Sequence, residues 1–220
     1  MQLKIKDIQK HSEKYFSLIF KKPSGFSFYP GQYLDIKLPV RDPNGDTRAF
    51  TISSSPTENF LMITPKKGSS PFKKYLEKLK AGDNIESSHP AGTFILDETE
   101  PAVFITGGVG ITPFRSMLRY AVDQKLKKPI ILIYTNADND FLFKEELDIW
   151  KKKLNLTIDY HNSSLTGHLA ITQLATAVSS YVVSTYYLAG SHGFVNNIAE
   201  LLIKLGVDQT SIRYDRFDGY

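Results

Sequence analysis

Along the first hundred residues, apolar and polar positions alternate in short runs. Leu3 to Ile8 alternates apolar with mostly basic residues, Tyr15 to Phe20 is aromatic and apolar, and Tyr33 to Leu38 alternates again after Tyr29-Pro-Gly31. Arg48 to Ser53 and Phe60 to Thr64 repeat the pattern, and Ile85-Glu-Ser and Phe94-Ile-Leu96 close it. A period of two with β-branched and aromatic residues predicts strands. Arg41-Asp-Pro-Asn-Gly-Asp46 reads as a hairpin-type loop, because Asn-Gly adopts left-handed conformations readily. One helix is expected over Pro71 to Lys80, where Phe72, Tyr75, Leu76 and Leu79 share a face and Gly82 stops it. Together these stretches predict a six-stranded antiparallel β-barrel over residues 1–98.

After Asp97-Glu-Thr-Glu-Pro101 the rhythm changes. Strand-like runs at 102–106, 130–135, 155–160, 185–189 and 212–217 alternate with helical runs at 113–124, 141–152, 171–180 and 193–205. Such alternation predicts a Rossmann-like, five-stranded parallel sheet with helices on both faces over residues 99–220. Its first strand ends in Gly107-Gly-Val-Gly110, and Thr112 and Pro113 read as the cap and first residue of the next helix. A strand, a glycine turn and a helix start point backbone N–H groups at an anion, and glycine admits a ligand close to the main chain. The third glycine of G-x-G-x-x-G is replaced by Pro113. A tight turn with no ligand would leave the same pattern.

Composition narrows this picture. The 220 residues are 41% hydrophobic and 23% charged, as in an ordinary globular protein. No apolar run approaches the roughly 20 residues of a membrane-spanning helix, and a cytoplasmic location is expected. Cysteine is absent, which excludes disulfides, thiolate nucleophiles and a cysteine-held iron–sulfur cluster on these residues. No metal site is predicted. Of the formal charge of +4, all lies in residues 1–98, with fifteen Lys and Arg against eleven Asp and Glu. A basic first half attracts phosphate-bearing ligands or acidic proteins.

Three stretches, Arg48-Ala-Phe-Thr51, Gly107-Gly-Val-Gly-Ile-Thr-Pro113 and the tail Ile212 to Tyr220, stand in an order that resembles the ferredoxin–NADP(+) reductase superfamily. The resemblance covers essentially the whole chain. It implies an FAD-binding barrel followed by an NAD(P)-binding domain. By the family's Arg-x-Tyr-Ser motif, Arg48 would grip the FAD diphosphate, Ala49 and Phe50 would lie along the flavin, and Thr51 would bond near its reactive nitrogen. The main chain around Ile63 and Thr64 would line the flavin, and the Gly68-Ser69-Ser70 turn would bind the diphosphate; Pro65 departs from the pattern and removes one amide donor. Gly107, Gly108, Gly110, Ile111, Thr112 and Pro113 would hold the nicotinamide half of the dinucleotide. Ala189-Gly190-Ser191-His192 matches a segment that usually reads Cys/Ala-Gly-Pro-Pro, with His192 expected as an exposed helix-start residue. Asn136 would contact the nucleotide. The tail resembles Glu-x-Phe-x-Gly-Tyr, placing Asp215 and Phe217 at the reacting rings with Tyr220 as a further ring neighbour. Thr51, Asp215 and Phe217 are thus the candidate catalytic residues.

Relatives often carry arginine where this chain has Ala137, and residues 134–140 and 159–168 offer no basic group besides His161 and His168. NADH is therefore favoured over NADPH, with Lys144 as the side chain that could reach in. The implied activity is hydride transfer from NAD(P)H to FAD, then electron transfer to ferredoxin, flavodoxin, an oxygenase component or a small-molecule acceptor. Two rival readings are a nucleotide-binding regulatory module without turnover, and a basic barrel that binds nucleic acid through Lys14-Tyr-Phe16 or Lys73-Lys-Tyr75. The second is disfavoured by the low net charge, and no nucleic-acid partner is expected.

Overall fold

The computed structural model describes residues 1–179 and 184–217. They fall into two compact units. One comprises residues 1–96 together with Thr112–Tyr120; the other is built from 97–111 and the described residues from Ala121 to Phe217.

The first unit contains β1 (Gln2–Lys10), β2 (Phe16–Lys21), β3 (Tyr33–Lys37), β4 (Thr47–Thr51), β5 (Phe60–Ile63), helix α1 (Pro71–Lys78) and β6 (Asn84–Ser87). The six strands form one antiparallel sheet in the order β4-β3-β6-β1-β2-β5. A bridge between Ile52 and Ile63 joins the two edges, so the sheet curls on itself and its open edges are protected. Alternation does the rest: Leu3, Ile5, Leu18, Phe20, Leu34, Ile36, Leu61 and Ile63 all point into one core, which Phe72 and Leu76 of α1 cap. Phe94-Ile-Leu96, expected as a strand, lies outside the strands of the sheet. Its apolar character has another cause, since Phe94 is buried edge-to-face on Phe114 and its carbonyl lies against Gly31.

In the second unit β7 (Ala102–Gly107) leads through a 3₁₀ turn at Gly108–Gly110 into α2 (Ile111–Asp123), of which residues 112–120 belong to the first unit. There follow β8 (Ile130–Asn136), α3 (Lys144–Lys151), β9 (Leu156–Asn162), the one-turn α4 (Ser163–Thr166), α5 (Ile171–Ser179), β10 (Thr185–Ser191), α6 (His192–Lys204) and β11 (Ile212–Phe217). All strand pairs are parallel, in the order β11-β10-β7-β8-β9. Val103, Ile105, Tyr186, Leu188 and Ile212 pack on one face against Leu174 of α5 and Val195, Ile198 and Leu202 of α6. The opposite face carries Phe104, Leu132, Tyr134 and Tyr187, all fully buried. Tyr134 spends its hydroxyl on the loops, donating to the Gly108 carbonyl and accepting from the Leu142 N–H.

Thr112 is not a helix cap. The 3₁₀ turn supplies the first turn of α2, and Thr112 and Pro113 sit inside the helix that begins at Ile111.

Candidate functional site

Two clusters gather the sequence-predicted residues, one in each unit. In the parallel sheet, strand order reverses at β7, whose neighbours β8 and β10 are reached by crossovers in opposite directions. Ligands of such sheets bind in the crevice at the carboxyl ends of the strands where this reversal occurs. Here those ends are Gly107, Gly108 and Gly110 after β7, and Gly190 and Ser191 on β10.

The glycines differ in what requires them. Gly108 takes a left-handed φ of 55°. A Cβ on Gly110 would lie 2.4 Å from the Ala189 carbonyl and 2.7 Å from the Thr106 hydroxyl, so this residue lets the turn pack directly on β10. That hydroxyl fixes the same junction by donating to the Ala189 carbonyl. A Cβ on Gly107 would stand in ordinary contact with the Phe194 ring, whereas one on Gly190 would come to 3.0 Å from it. Phe194 was not singled out from the sequence. Its place in the first turn of α6, three residues after the cap Ser191, carried the only available signal.

Ile111, Thr112 and Pro113 are buried at the start of α2. His192 opens α6 with an exposed side chain, as expected. The β10–β11 register sets Asp215 beside Ala189 and Phe217 beside Ser191. Both are half-buried and, by alternation, share the Arg213 side of β11, away from Ile212 and Tyr214 in the α5–α6 core. Tyr220 lies outside the described residues.

At the far end of β8, Asn136 uses its amide within the loop, donating to the Asp138 carboxylate and the Asp140 carbonyl. Ala137 is exposed there. Lys144 is committed elsewhere: it pairs with Asp148 and lies over the Tyr160 ring, whose hydroxyl donates to the same carboxylate. Burial works to raise the Asp148 pKa, but the bonds from Lys144 and Tyr160 outweigh it and hold the pKa low.

The barrel unit holds the second cluster. Arg48 on β4 is buried, with its guanidinium over the Phe72 ring at 4.7 Å. One nitrogen donates to Ser70 at 3.2 Å and another pairs with Asp42 at 2.8 Å. Ser70 caps α1 and accepts from the Lys73 N–H, and Pro71 fills the position whose N–H would be wasted. The Gly68 N–H reaches Glu77, and a Cβ at Gly68 would meet the Lys73 side chain at 2.5 Å. Lys73 thus arches over the Gly68-Ser69-Ser70 turn, with Ser69 exposed. Its pKa is lowered by burial first, then by repulsion from Arg48 and Lys66.

The remaining predicted residues face different ways. Ala49 is exposed, and Phe50 is half-buried and stacks on Phe72 with 6.1 Å between centroids. Thr51 is buried at the end of β4. The Ile63 side chain belongs to the core, and the Thr64 hydroxyl is tied to Ser17 and Ser53 at 2.8 Å each. Either residue can therefore offer a ligand only its main chain. Beyond Thr51 the turn Ser53-Ser-Ser55 is held by α2. Arg115 donates to the Ser53 carbonyl and pairs with Glu58 at 3.0 Å, and Ser116 donates to the Ser54 carbonyl. This buried staple also escaped the sequence reading, because Arg115 and Glu58 stand 57 residues apart.

Residues 104–198 match the model of the oxidoreductase NAD-binding domain. Among curated proteins the chain is 26% identical to flavohemoprotein A of Dictyostelium discoideum, over 94% of this chain and 57% of that protein. It is 26% identical to the ferredoxin reductase component of 3-ketosteroid-9-alpha-monooxygenase from Rhodococcus rhodochrous, over 92% of this chain and 60% of that protein. It therefore spans less than two thirds of these relatives. Among solved structures, the flavohem-like FAD/NAD-binding domain of nitric oxide dioxygenase from Vibrio cholerae superposes with a TM-score of 0.81, at 21% identity and 98% coverage of both chains. The chain shares the fold of that FAD/NAD-binding domain, and the family match lies in its parallel-sheet half. The Vibrio cholerae domain is one that binds FAD and NAD. The barrel cluster fits the acidic half of such a cofactor, since a buried guanidinium, a serine hydroxyl and a helix start already hold an anionic group there. Among the described residues, no helix is long and apolar enough to cross a membrane.

Proposed function

We propose that the chain is an NADH-preferring flavin reductase, with residues 1–98 as its flavin-binding part and 99–220 as its nucleotide-binding part. The observation that carries this reading is the glycine turn after β7, packed on the end of β10 where the strand order reverses. When bound, the two cofactors supply the redox chemistry: a hydride passes from nicotinamide to flavin, and electrons leave from there to an acceptor.

The protein supplies position and charge. Arg48, Ser70 and the start of α1 hold the flavin's diphosphate, and Phe50 and the main chain at Ile63–Thr64 lie along its ring system. Thr51 offers its hydroxyl to the ring's reactive edge. Gly107, Gly108 and Gly190 let the dinucleotide lie against the backbone, and Ile111, Thr112 and Pro113 bound the nicotinamide end. On the sheet unit, Asp215 and Phe217 of β11 act beside the nicotinamide, the carboxylate as a hydrogen-bonding group and the ring as a shield from water.

Preference for NADH is supported by the exposed Ala137 and by Lys144, whose charge is already matched by Asp148. A 2′-phosphate would find no ready cation in that loop. The acceptor is a redox protein such as a ferredoxin, a flavodoxin or an oxygenase component, a reading supported by the monooxygenase reductase from Rhodococcus rhodochrous. The test is anaerobic titration of the FAD-loaded protein with NADH and, separately, NADPH. Bleaching of the flavin band is expected with both, faster with NADH. A band that neither nucleotide bleaches would refute the reductase reading.

A further inference from the structure

The barrel cradle already contains an anion of the protein's own. Asp42 lies in the loop between β3 and β4, where Arg41, Pro43, Asn44 and Gly45 are all exposed, yet its carboxylate is fully covered. One oxygen forms an ion pair with Arg48 at 2.8 Å and accepts from the Asn44 N–H at 2.9 Å; the other accepts from the Phe72 N–H at 2.9 Å. The Ser70 hydroxyl nearby also favours its charged form. Phe72 is the second residue of α1, so its N–H is one of the donors that a helix start offers to an anion.

Charge around the carboxylate is not balanced by it. Burial lowers the Lys73 pKa, and repulsion from nearby Arg48 and Lys66 lowers it further. Glu77 is engaged with the Gly68 N–H on the other side of the turn. The cradle therefore has cationic capacity for an anion of more than one charge. A surface loop has sent its carboxylate into the site, where the same donors would face a diphosphate.

We propose that Asp42 is an internal counter-ion that fills the diphosphate position of the flavin site, and that FAD binds by exchanging its diphosphate for this carboxylate. The proposal rests on the flavin reading above. Arg48, the Ser70 hydroxyl and the Phe72 N–H keep an anionic partner before and after the exchange, so neither state leaves a buried cation bare. Lys66 and Lys73 meet the second charge that the diphosphate brings. The loop is built to leave, since the neighbours of Asp42 are solvent-exposed and Gly45 turns at a φ of 89° with open space around it.

The test compares the wild-type chain with Asp42→Asn and Asp42→Ala. Dissociation constants for FAD and riboflavin are read from flavin fluorescence, and melting temperatures are taken with and without inorganic diphosphate. Removing a carboxylate that competes at contact distance should tighten FAD binding by about tenfold or more in both variants. Riboflavin, which carries no phosphate, should bind all three proteins alike. Inorganic diphosphate alone should raise the melting temperature of Asp42→Asn more than that of the wild type, and without ligand the variant should melt lower. FAD binding that is unchanged or weaker in both variants overturns the proposal and makes Asp42 a positioning residue for Arg48. An equal gain for riboflavin also overturns it. Flavin binding by none of the three proteins removes the flavin reading itself.

Discussion

The two candidate sites, each proposed to take a phosphate-bearing ligand, are built by opposite means. The barrel cradle is built from side chains: a buried arginine, two lysines, a serine cap and a carboxylate that matches part of the charge. The crevice of the parallel sheet is built from main chain, with glycines fixed by a left-handed turn at Gly108 and by contact with β10 at Gly110. The first depends on charge. The second depends on shape, and its glycine turn carries no charge of its own.

That contrast can be broken most sharply at Gly110. Gly110→Ala would set a methyl group 2.4 Å from the Ala189 carbonyl, an overlap with rigid backbone. The turn should shift, lowering stability by about 3 kcal/mol in a denaturant titration and abolishing bleaching of bound flavin by NADH. Retention of both would show that the crevice is not held by this contact. At the barrel, Arg48→Ala should leave the crevice untouched while weakening FAD binding about a hundredfold by fluorescence titration. Flavin retained at wild-type affinity would remove Arg48 from the diphosphate site.

A smaller effect separates the sites by pH. Hydrogen bonds from the Phe72 and Asn44 amides, with Arg48 and Ser70 assisting against burial, hold the Asp42 carboxyl below the usual carboxylate range. A depressed pKa contributes stability above the unfolded value of about 4, and that contribution is lost as pH falls through the folded value. The flavin-free wild type should therefore lose more stability than Asp42→Asn on acidification below about pH 4, as measured by thermal melts. Parallel losses in the two proteins would mean that Asp42 gains nothing on folding. Smallest of all, Ala137→Arg should move the NADPH-to-NADH rate ratio upward by about tenfold. An unaltered ratio would locate cofactor selection elsewhere.

Much of the fold was legible because alternation and helical spacing report burial directly. Leu34 and Ile36 alternate into the barrel core, whereas the near-continuous apolar run Ala102 to Ile105 marks a strand buried on both faces. Phe94-Ile-Leu96 shows the limit of the signal, since an apolar triplet records that Phe94 is covered but not by what. Thr112 and Pro113 misled for a local reason: a 3₁₀ turn through the glycines starts α2 earlier than the cap pattern suggests. In the site, Arg48 was visible from its motif, but its partner was not. Asp42 sits in a loop whose composition reads simply as a turn, and only the tertiary fold turns its carboxylate inward. Arg115, Glu58 and Phe194 were equally silent, because ion pairs and ring contacts across distant segments leave no periodic trace.

Helix α2 also bears on how such proteins can be cut and recombined. Residues 112–120 cluster with the barrel, where Met117 lies against Gly31, Phe114 against Phe94, and Arg115 against Glu58. A fragment ending near residue 98 would expose those apolar surfaces and strand a carboxylate beside the turn that follows Thr51. The chain is thus interleaved at its middle, and an exchange of halves between relatives would transmit a working barrel only if the donor of α2 travelled with it.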